Sequence, residues 1–307
     1  MNDSFHSSAR GVALVLFAAM LWGTTGTAQS LAPTTLSPYW VGALRVAIAS
    51  GFFAALTVGQ PWRGVAWPWA RIAWAGGCIA VYNLSFFAGV KASGVALGTA
   101  IAIGSGPIWA GLLQTWQQRR LPPALWWLGT LVSVAGAAAM ALGQGGGLHL
   151  SAFGVALCLL AGLCYAMYTL ANKRLVPVLG PARTNLAVFA SAAMLSLPAA
   201  WALGGSLRAG ADAWAVVLFL GLVSTGVAYL LFSSGLRHIS GATGVTLALG
   251  EPVTAFMLAV WVVGERQQAL AWLGLAGVIA GLLLVVWTEL RGAQPPQLQT
   301  HQPVSAG

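Results

Sequence analysis

The chain has 307 residues, of which 58% are hydrophobic and only 6% are charged, and its mean hydropathy is +0.81. A soluble globular protein carries about 25% charged residues, so this composition excludes a soluble fold and predicts an integral membrane protein. The net charge of +9 would suggest nucleic acid in a soluble chain, but here the basic residues sit at the ends of apolar runs, where the positive-inside rule explains them.

Ten apolar runs follow one another along the chain. About 20 apolar residues cross a bilayer, and on that rule we predict an all-α protein with ten transmembrane helices. Residues 1–10 precede the first span, and residues 290–307 form a tail whose composition predicts disorder. The predicted spans cover residues 11–31, 40–59, 71–91, 93–116, 124–143, 152–172, 184–204, 213–234, 239–263 and 268–289.

The Lys and Arg residues are distributed unevenly between the two sides of these spans. The N-terminal side of the first span and every second loop together hold ten of them, whereas the opposite loops hold only Lys91, Arg208 and Arg266. The positive-inside rule therefore predicts that both termini are cytoplasmic. Tryptophans near the ends of the runs, among them Trp69, Trp126 and Trp201, predict an aromatic belt at headgroup depth.

The sequence contains an internal repeat. Trp-Leu-Gly at 127–129 recurs at 272–274, and 272 minus 127 gives a shift of 145 that also relates Pro107 to Pro252. Gly-Val-Ala-Leu at 11–14 recurs at 154–157, a shift of 143. We predict two five-span repeats, 11–143 and 152–289, joined by a linker at 144–151. Five is an odd number, so the second repeat is inverted, which is an arrangement typical of transporters with a central site.

Glu251 lies in the middle of the ninth apolar run and is followed by Pro252. A carboxylate at bilayer depth costs several kcal/mol unless it is paired, protonated or hydrated, and a proline removes one helix hydrogen bond. Both residues predict a cavity at this position. Pro107 and Pro252 are predicted hinges, because discontinuous helices allow the two repeats to rock around a central site.

The stretch SGATGVTLALGEPVTA at 240–255, followed by Gly264 and Glu265, resembles the motif of the EamA-type transporters in the drug/metabolite transporter superfamily. The resemblance extends over about residues 10–290 and includes the duplicated ten-span layout. It implies an exporter of small metabolites in the bacterial inner membrane, with aromatic or other neutral amino acids as the leading substrates. Purines, drugs and lipophilic cations are the alternatives. The first repeat departs from the motif, since Gly106 and Pro107 stand where the second repeat has Glu251 and Pro252.

The candidate substrate-binding residues offer charge, hydrogen bonds and flat apolar faces. Glu251 is expected to bind a substrate ammonium or exchange a proton, with a structural ion pair as the alternative. Arg45 is expected to bind a carboxylate, with snorkelling or helix pairing as the alternative. For the aromatic and small polar candidates, ordinary packing is the alternative. These are Trp22, Thr25, Tyr82, Asn83, Trp109, Tyr165, Tyr168 and Tyr229.

Other functions find little support in the sequence. No catalytic triad, metal cluster, paired carboxylates at membrane depth or phosphate-binding loop is evident, so we expect neither an enzyme, nor a cofactor, nor direct use of ATP. A channel stays open as an alternative, although no repeated filter is evident. The three cysteines lie in apolar runs and predict core packing. Gly277 and Gly281 have a spacing that favours close helix contact within a monomer. The expected partners are a small-molecule substrate and the lipid bilayer.

Overall fold

The computed structural model describes residues 2–31, 36–60, 64–143 and 151–292. Every regular element in these ranges is helical, and ten helices follow one another. They are α1 (Asn2–Leu31), α2 (Pro38–Thr57), α3 (Trp69–Ser93), α4 (Val95–Gln118), α5 (Ala124–Leu142), α6 (Ala152–Leu179), α7 (Pro181–Leu203), α8 (Ala211–Gly235), α9 (Gly241–Val263) and α10 (Ala269–Gly292).

The helices confirm an all-α protein with many apolar helices. In the part of the chain that the structure describes, nine of them are long and apolar enough to cross a membrane, and α4 is the helix outside that set. The predicted boundaries differ from the structure by three residues or more at four helix ends. α1 begins at Asn2 rather than at 11, and α7 begins at Pro181 rather than at 184. α6 continues to Leu179 beyond 172, and α10 continues to Gly292 beyond 289. The linker at 144–150 and the tail from 293 lie outside the described residues.

Local sequence explains how several helices begin and end. Ser151 and Ser240 precede α6 and α9, and their hydroxyls accept hydrogen bonds from first-turn N–H groups at 3.2 Å and 3.0 Å. Gly180 has φ +77°, so α7 can follow α6 without a loop. Arg119 and Gly264 stand at the repeat shift of 145, and both end a helix in the left-handed conformation, with φ of 52° and 80°. The two halves thus share a local geometry as well as sequence.

Helix packing keeps its pattern when the two halves are exchanged. The pair α3 and α6 corresponds in this exchange to α8 and α1, and the pair α4 and α6 corresponds to α9 and α1. All of these pairs are in contact. The pairs α2 with α7 and α5 with α10 map onto themselves and also pack together. Each of these pairs joins a helix of the first five to a helix of the second five. The two halves therefore pack against each other over many helices and do not form separate domains.

Small residues bring α5 and α10 into backbone contact. A Cβ atom added at Gly136 would lie 2.6 Å from the carbonyl oxygen of Gly274, and one at Gly129 would lie 2.8 Å from that of Gly281. These two contacts exchange under the repeat shift. Between them, the Ser133 hydroxyl donates to the Val278 carbonyl at 3.4 Å. The predicted close contact of Gly281 is therefore made within one chain, in line with packing in a monomer.

A buried polar network joins α6, α7 and α8. The Asn172 amide donates to the Tyr168 hydroxyl at 3.1 Å and to the Ser233 hydroxyl at 2.9 Å. Ser233 donates to the Asn185 amide oxygen at 2.7 Å, and the Asn185 amide donates to the Tyr229 carbonyl at 2.9 Å. Ser233, Asn172 and Asn185 are fully buried. Each of these hydrogen bonds restrains the position of its helix, because a buried polar group that loses its partner has no water molecule to replace it.

Replacing Ser233 with Ala is expected to lower the free energy of unfolding by about 1–3 kcal/mol, because it removes one of the two acceptors of the Asn172 amide and the donor to the Asn185 amide oxygen. Thermal unfolding in detergent measures the loss. Ser50→Ala is the matched control, since the Ser50 hydroxyl bonds only to the Val46 carbonyl one turn away in its own helix, at 2.8 Å. Equal melting temperatures for the two variants would contradict a stabilising role for the network.

Polar contacts close the end of the bundle at which α1 begins and α10 ends, called here the terminal end. The Glu289 carboxylate of α10 accepts hydrogen bonds from the Ser240 N–H at 2.8 Å and from the Thr243 hydroxyl. The Gln114 side-chain oxygen of α4 accepts the Ala242 N–H at 3.0 Å. These acceptors satisfy N–H groups at the start of α9 that have no partner inside the helix. Three helices are thereby tied together at this end.

A histidine in the connection between α8 and α9 joins the same end to α1. His238 Nδ1 and the Ser7 hydroxyl are 2.8 Å apart. Burial lowers the pKa of His238, and the nearby positive charges of Arg10, Arg237 and Lys173 lower it further. The imidazole is therefore mostly neutral at pH 7, so the bond to Ser7 adds no further positive charge to this basic end.

Three tryptophans of the predicted aromatic belt differ in burial. Trp69 and Trp201 are largely exposed on the protein surface, with 66% and 78% of their surface accessible. Trp126 is buried between helices, where its indole N–H donates to the Thr243 hydroxyl at 3.2 Å. The depth of these residues in a bilayer stays a prediction. The three cysteines are buried and free, which confirms their predicted place in the core.

Candidate functional site

The candidate site is centred on a break in α9. Ala248 and Leu249 form a turn, and the helix starts again at Gly250, so Glu251 lies in the first turn of the second half-helix. The Glu251 N–H bonds to the Ala248 carbonyl at 2.9 Å. Pro252 is well accommodated here, because first-turn N–H groups have no acceptor inside the helix. The predicted discontinuity of the ninth helix is thus present, immediately before the acid.

The repeat-related Pro107 has a different setting. It lies inside α4, which continues without interruption from Val95 to Gln118. The two prolines are therefore equivalent in sequence but not in local structure. Their roles as hinges stay predictions. The second half has further irregularity, because α8 contains a π-helical segment, Leu220–Val227, and α9 ends in another, Ala259–Val263. Such segments occur often at functional sites.

Glu251 lines an open cavity of about 340 Å³ between α1, α4, α5 and α9. This volume lies within the usual range for small-molecule sites, roughly 300–1,000 Å³. The cavity occupies the half of the bundle away from the terminal end, called here the distal half, because it is lined by Thr27 near the end of α1 and Thr99 near the start of α4. Glu265, in the connection from α9 to α10, lies at its far limit.

Arg45 of α2 and Glu251 of α9 lie close enough for electrostatic interaction, although they belong to different repeats. Arg45 also interacts electrostatically with Tyr82 and Tyr229. Within the described residues, neither the Arg45 nor the Glu251 side chain makes a hydrogen bond or an ion pair, and the buried Nε of Arg45 has no acceptor. Arg45 and Glu251 are thus two side chains of opposite charge that lie near each other inside the bundle without forming an ion pair.

Five of the predicted aromatic residues contact one another, and three of them, Tyr82, Tyr165 and Tyr229, interact electrostatically with Glu251. Trp22 of α1 contacts Tyr229 with ring centroids 5.0 Å apart, and contacts Tyr165 at 6.4 Å. Tyr165 reaches Tyr82 of α3 at 5.6 Å and Tyr168 at 6.2 Å. The indole N–H of Trp22 and the hydroxyl of Tyr165 are buried without hydrogen-bond partners. The structure therefore brings these five residues into one cluster, called here the aromatic cluster.

The remaining predicted residues lie at or beyond the edge of the aromatic cluster. The Thr25 hydroxyl bonds to the Ser224 hydroxyl at 2.7 Å, so it ties α1 to the π segment of α8. Asn83 is buried on α3 beside Tyr82. Trp109 packs against a separate apolar cluster that includes Trp126, and Tyr165 also packs against that cluster.

Several residues of the site are absent from the sequence-based predictions. Phe232 and Phe189 complete the wall, with ring centroids 5.3 Å from Trp22 and 4.6 Å from Tyr229, respectively. Thr27 and Thr99 line the cavity. The signal for Phe232 was available, since it follows Tyr229 by three positions and shares its helix face. The described residues contain no group of three or more His, Cys, Asp or Glu that could hold a metal.

Comparisons with known proteins agree on one class of protein. The model of the EamA-like transporter family matches the chain twice, at residues 9–142 and 152–287. A protein of Bacillus subtilis strain 168 named uncharacterized transporter YwfM is 37% identical over 272 residues, which is 88% of this chain and 92% of that protein. The threonine/homoserine exporter RhtA of Escherichia coli K12 is 28% identical over 88% of each chain.

A solved crystal structure shares the fold. It superposes with a TM-score of 0.80 and covers 92% of this chain and 99% of its own, at 19% sequence identity. At that level of identity the likeness concerns the fold alone. The two matches of the family model also leave 143–151 between them, the region that joins α5 to α6.

Proposed function

The chain belongs to the EamA-like transporter family of multi-pass membrane proteins, and we propose that it exports neutral amino acids by alternating access through a central cavity. In this proposal ten helices span the bacterial inner membrane as two inverted repeats, and the terminal end with both chain termini faces the cytoplasm. The exchange symmetry of the helix contacts and the excess of Lys and Arg on the terminal side support this arrangement.

The observation that carries the substrate class is the unsatisfied pair Arg45 and Glu251. A zwitterion has a carboxylate that suits the guanidinium of Arg45 and an ammonium that suits the carboxylate of Glu251. Bound between the two, it would neutralise both charges at bilayer depth, where an uncompensated charge is costly. The pair also spans the two repeats, so the same ligand would hold α2 and α9 together while bound.

The aromatic cluster supports an apolar or aromatic side chain on that zwitterion. Tyr82 and Tyr229 interact electrostatically with Arg45 and Glu251, and Trp22 packs against Tyr229. Flat aromatic faces bury apolar groups with little loss of side-chain entropy. The unpartnered indole N–H of Trp22 and hydroxyl of Tyr165 add hydrogen-bonding capacity. RhtA, which is named for threonine and homoserine export, supports amino acids as the class.

Counterflow in proteoliposomes tests the proposal. Vesicles preloaded with unlabelled phenylalanine, tryptophan, threonine or homoserine are expected to accumulate the labelled amino acid transiently, in a saturable manner, whereas empty liposomes do not. Adenine and a lipophilic cation serve as competing substrate classes. Saturable counterflow of these alone would overturn the amino-acid assignment, and flux without saturation would favour a channel.

Arg45→Lys separates carboxylate binding from a general need for positive charge. Lysine keeps the positive charge but lacks the guanidinium, which can donate two parallel hydrogen bonds to a carboxylate. We therefore expect the apparent KM for amino-acid counterflow to rise by roughly tenfold, which corresponds to the loss of about one charge-assisted hydrogen bond. Arg266→Lys makes the same change at an exposed loop position and is expected to leave KM unchanged. If Arg45 only reaches toward the interface, both variants will transport like the parent protein.

A further inference from the structure

The cavity beside Glu251 has a one-sided charge. Its polar lining residues are Glu251, Glu265, Thr27, Ser30 and Thr99. No Lys, Arg or His belongs to the described lining. Arg45 lies on α2, outside these walls. A cavity with low-dielectric walls and charges of one sign concentrates ions of the opposite sign, so this cavity attracts cations.

The structure fixes the second carboxylate at the distal limit of the cavity. Glu265 follows Gly264, whose φ of +80° turns the chain out of α9. The Glu265 N–H bonds to the Ala259 carbonyl at 3.0 Å, and its carboxylate accepts the Gln267 amide at 3.0 Å. Glu265 is exposed, whereas Glu251 is mostly enclosed. The cavity therefore runs from an interior acid to one that contacts solvent.

We infer that this cavity is the outer path of the transporter, and that Glu265 is a second binding station for the ammonium group of a departing substrate. This inference rests on the proposed export function and adds to it that the path selects substrates by their charge. An ammonium released from Glu251 passes the hydroxyls of Thr27 and Thr99, which accept hydrogen bonds, and reaches Glu265. Zwitterions and amines are admitted, whereas compounds with net negative charge are repelled by both carboxylates.

Charged thiol reagents test the electrostatics of the path without a substrate. In Thr27→Cys, a positively charged methanethiosulfonate is expected to react about tenfold faster than a negatively charged one, and Glu265→Gln in the same protein is expected to reduce this ratio several-fold. Ser206→Cys, in the exposed connection between α7 and α8, is the control without such a preference. The native cysteines are buried. Thr99→Cys replaces Thr27→Cys if the latter does not fold.

A ratio in Thr27→Cys that equals the ratio in Ser206→Cys and does not respond to Glu265→Gln would overturn the inference. This measurement is independent of whether amino acids are the substrates. Preferential reaction of the cationic reagent together with absent amino-acid counterflow would keep the cation path and reject the proposed substrate.

Transport then tests the binding station itself. Glu265→Gln is expected to slow counterflow of phenylalanine by about fivefold at low salt, with a smaller effect at high salt because exposed charges are screened. Arg266→Gln changes the adjacent exposed charge, which does not line the cavity, and is expected to transport normally. Equal rates for the Glu265→Gln and parent proteins at every salt concentration would remove Glu265 from the path.

Discussion

Glu251→Gln is expected to reduce amino-acid counterflow by roughly 10–100-fold while the protein remains folded. The amide keeps the size of the side chain but removes the charge that binds the ammonium, and a charge-assisted hydrogen bond contributes about 1.5–3 kcal/mol. The helix itself should tolerate the change, because Glu251 makes no side-chain hydrogen bond or ion pair within the described residues. Initial rates in proteoliposomes measure the effect, and elution from a sizing column checks the fold.

The alternative is that Glu251 stabilises the break in α9 and has no contact with substrate. Saturating phenylalanine should raise the melting temperature of the parent protein, since a ligand that binds the folded state stabilises it. This rise should disappear in Glu251→Gln. A purely structural role would instead lower the melting temperature of the variant and leave the shift caused by phenylalanine intact. Asp212→Asn, the same chemical change at an exposed position of α8, is the control that should keep the shift caused by phenylalanine.

The sequence predicted most of the fold because membrane solvation leaves little freedom. A chain in lipid must satisfy its backbone within helices, so the length of each apolar run fixes the approximate helix. The larger errors occur at Asn2, Leu179, Pro181 and Gly292, where helices extend beyond the predicted span. Polar groups at these ends can be solvated in water and headgroups, so the hydrophobic pattern carries no signal for where such a helix starts or stops.

The candidate site was predictable only in part. Intramembrane charge identifies Glu251 and Arg45 one at a time, since each is costly wherever it lies. Their proximity depends on how α2 and α9 approach in the folded bundle, which neither helix encodes alone. The cavity is harder still, because Thr27 and Thr99 are ordinary residues until helices from both repeats surround them. The burial of Trp126 was not predictable either. Its indole lies against a helix whose Thr243 is 117 positions away in sequence.

Gly136→Leu is expected to separate α5 from α10 and to prevent a stable fold. Even a single Cβ at this position would lie 2.6 Å from both the Gly274 carbonyl oxygen and the Val278 nitrogen, which are backbone atoms and cannot rotate away. Excess volume in a packed core typically costs about 1–3 kcal/mol, and leucine exceeds a Cβ by three carbons. The milder Gly136→Ala is therefore expected to lower the melting temperature in detergent by roughly 5–10 °C.

Two further variants show whether this effect comes from the contact between the repeats. Gly281 stands at the repeat shift from Gly136, and its added Cβ would meet the Gly129 carbonyl of α5, so Gly281→Ala should lower the melting temperature by a similar amount. Gly51→Ala is the control, because Gly51 lies inside α2 with nothing near its Cβ position, and there alanine favours the helix. If all three alanine variants have the same melting temperature, the backbone contact between α5 and α10 does not stabilise the fold.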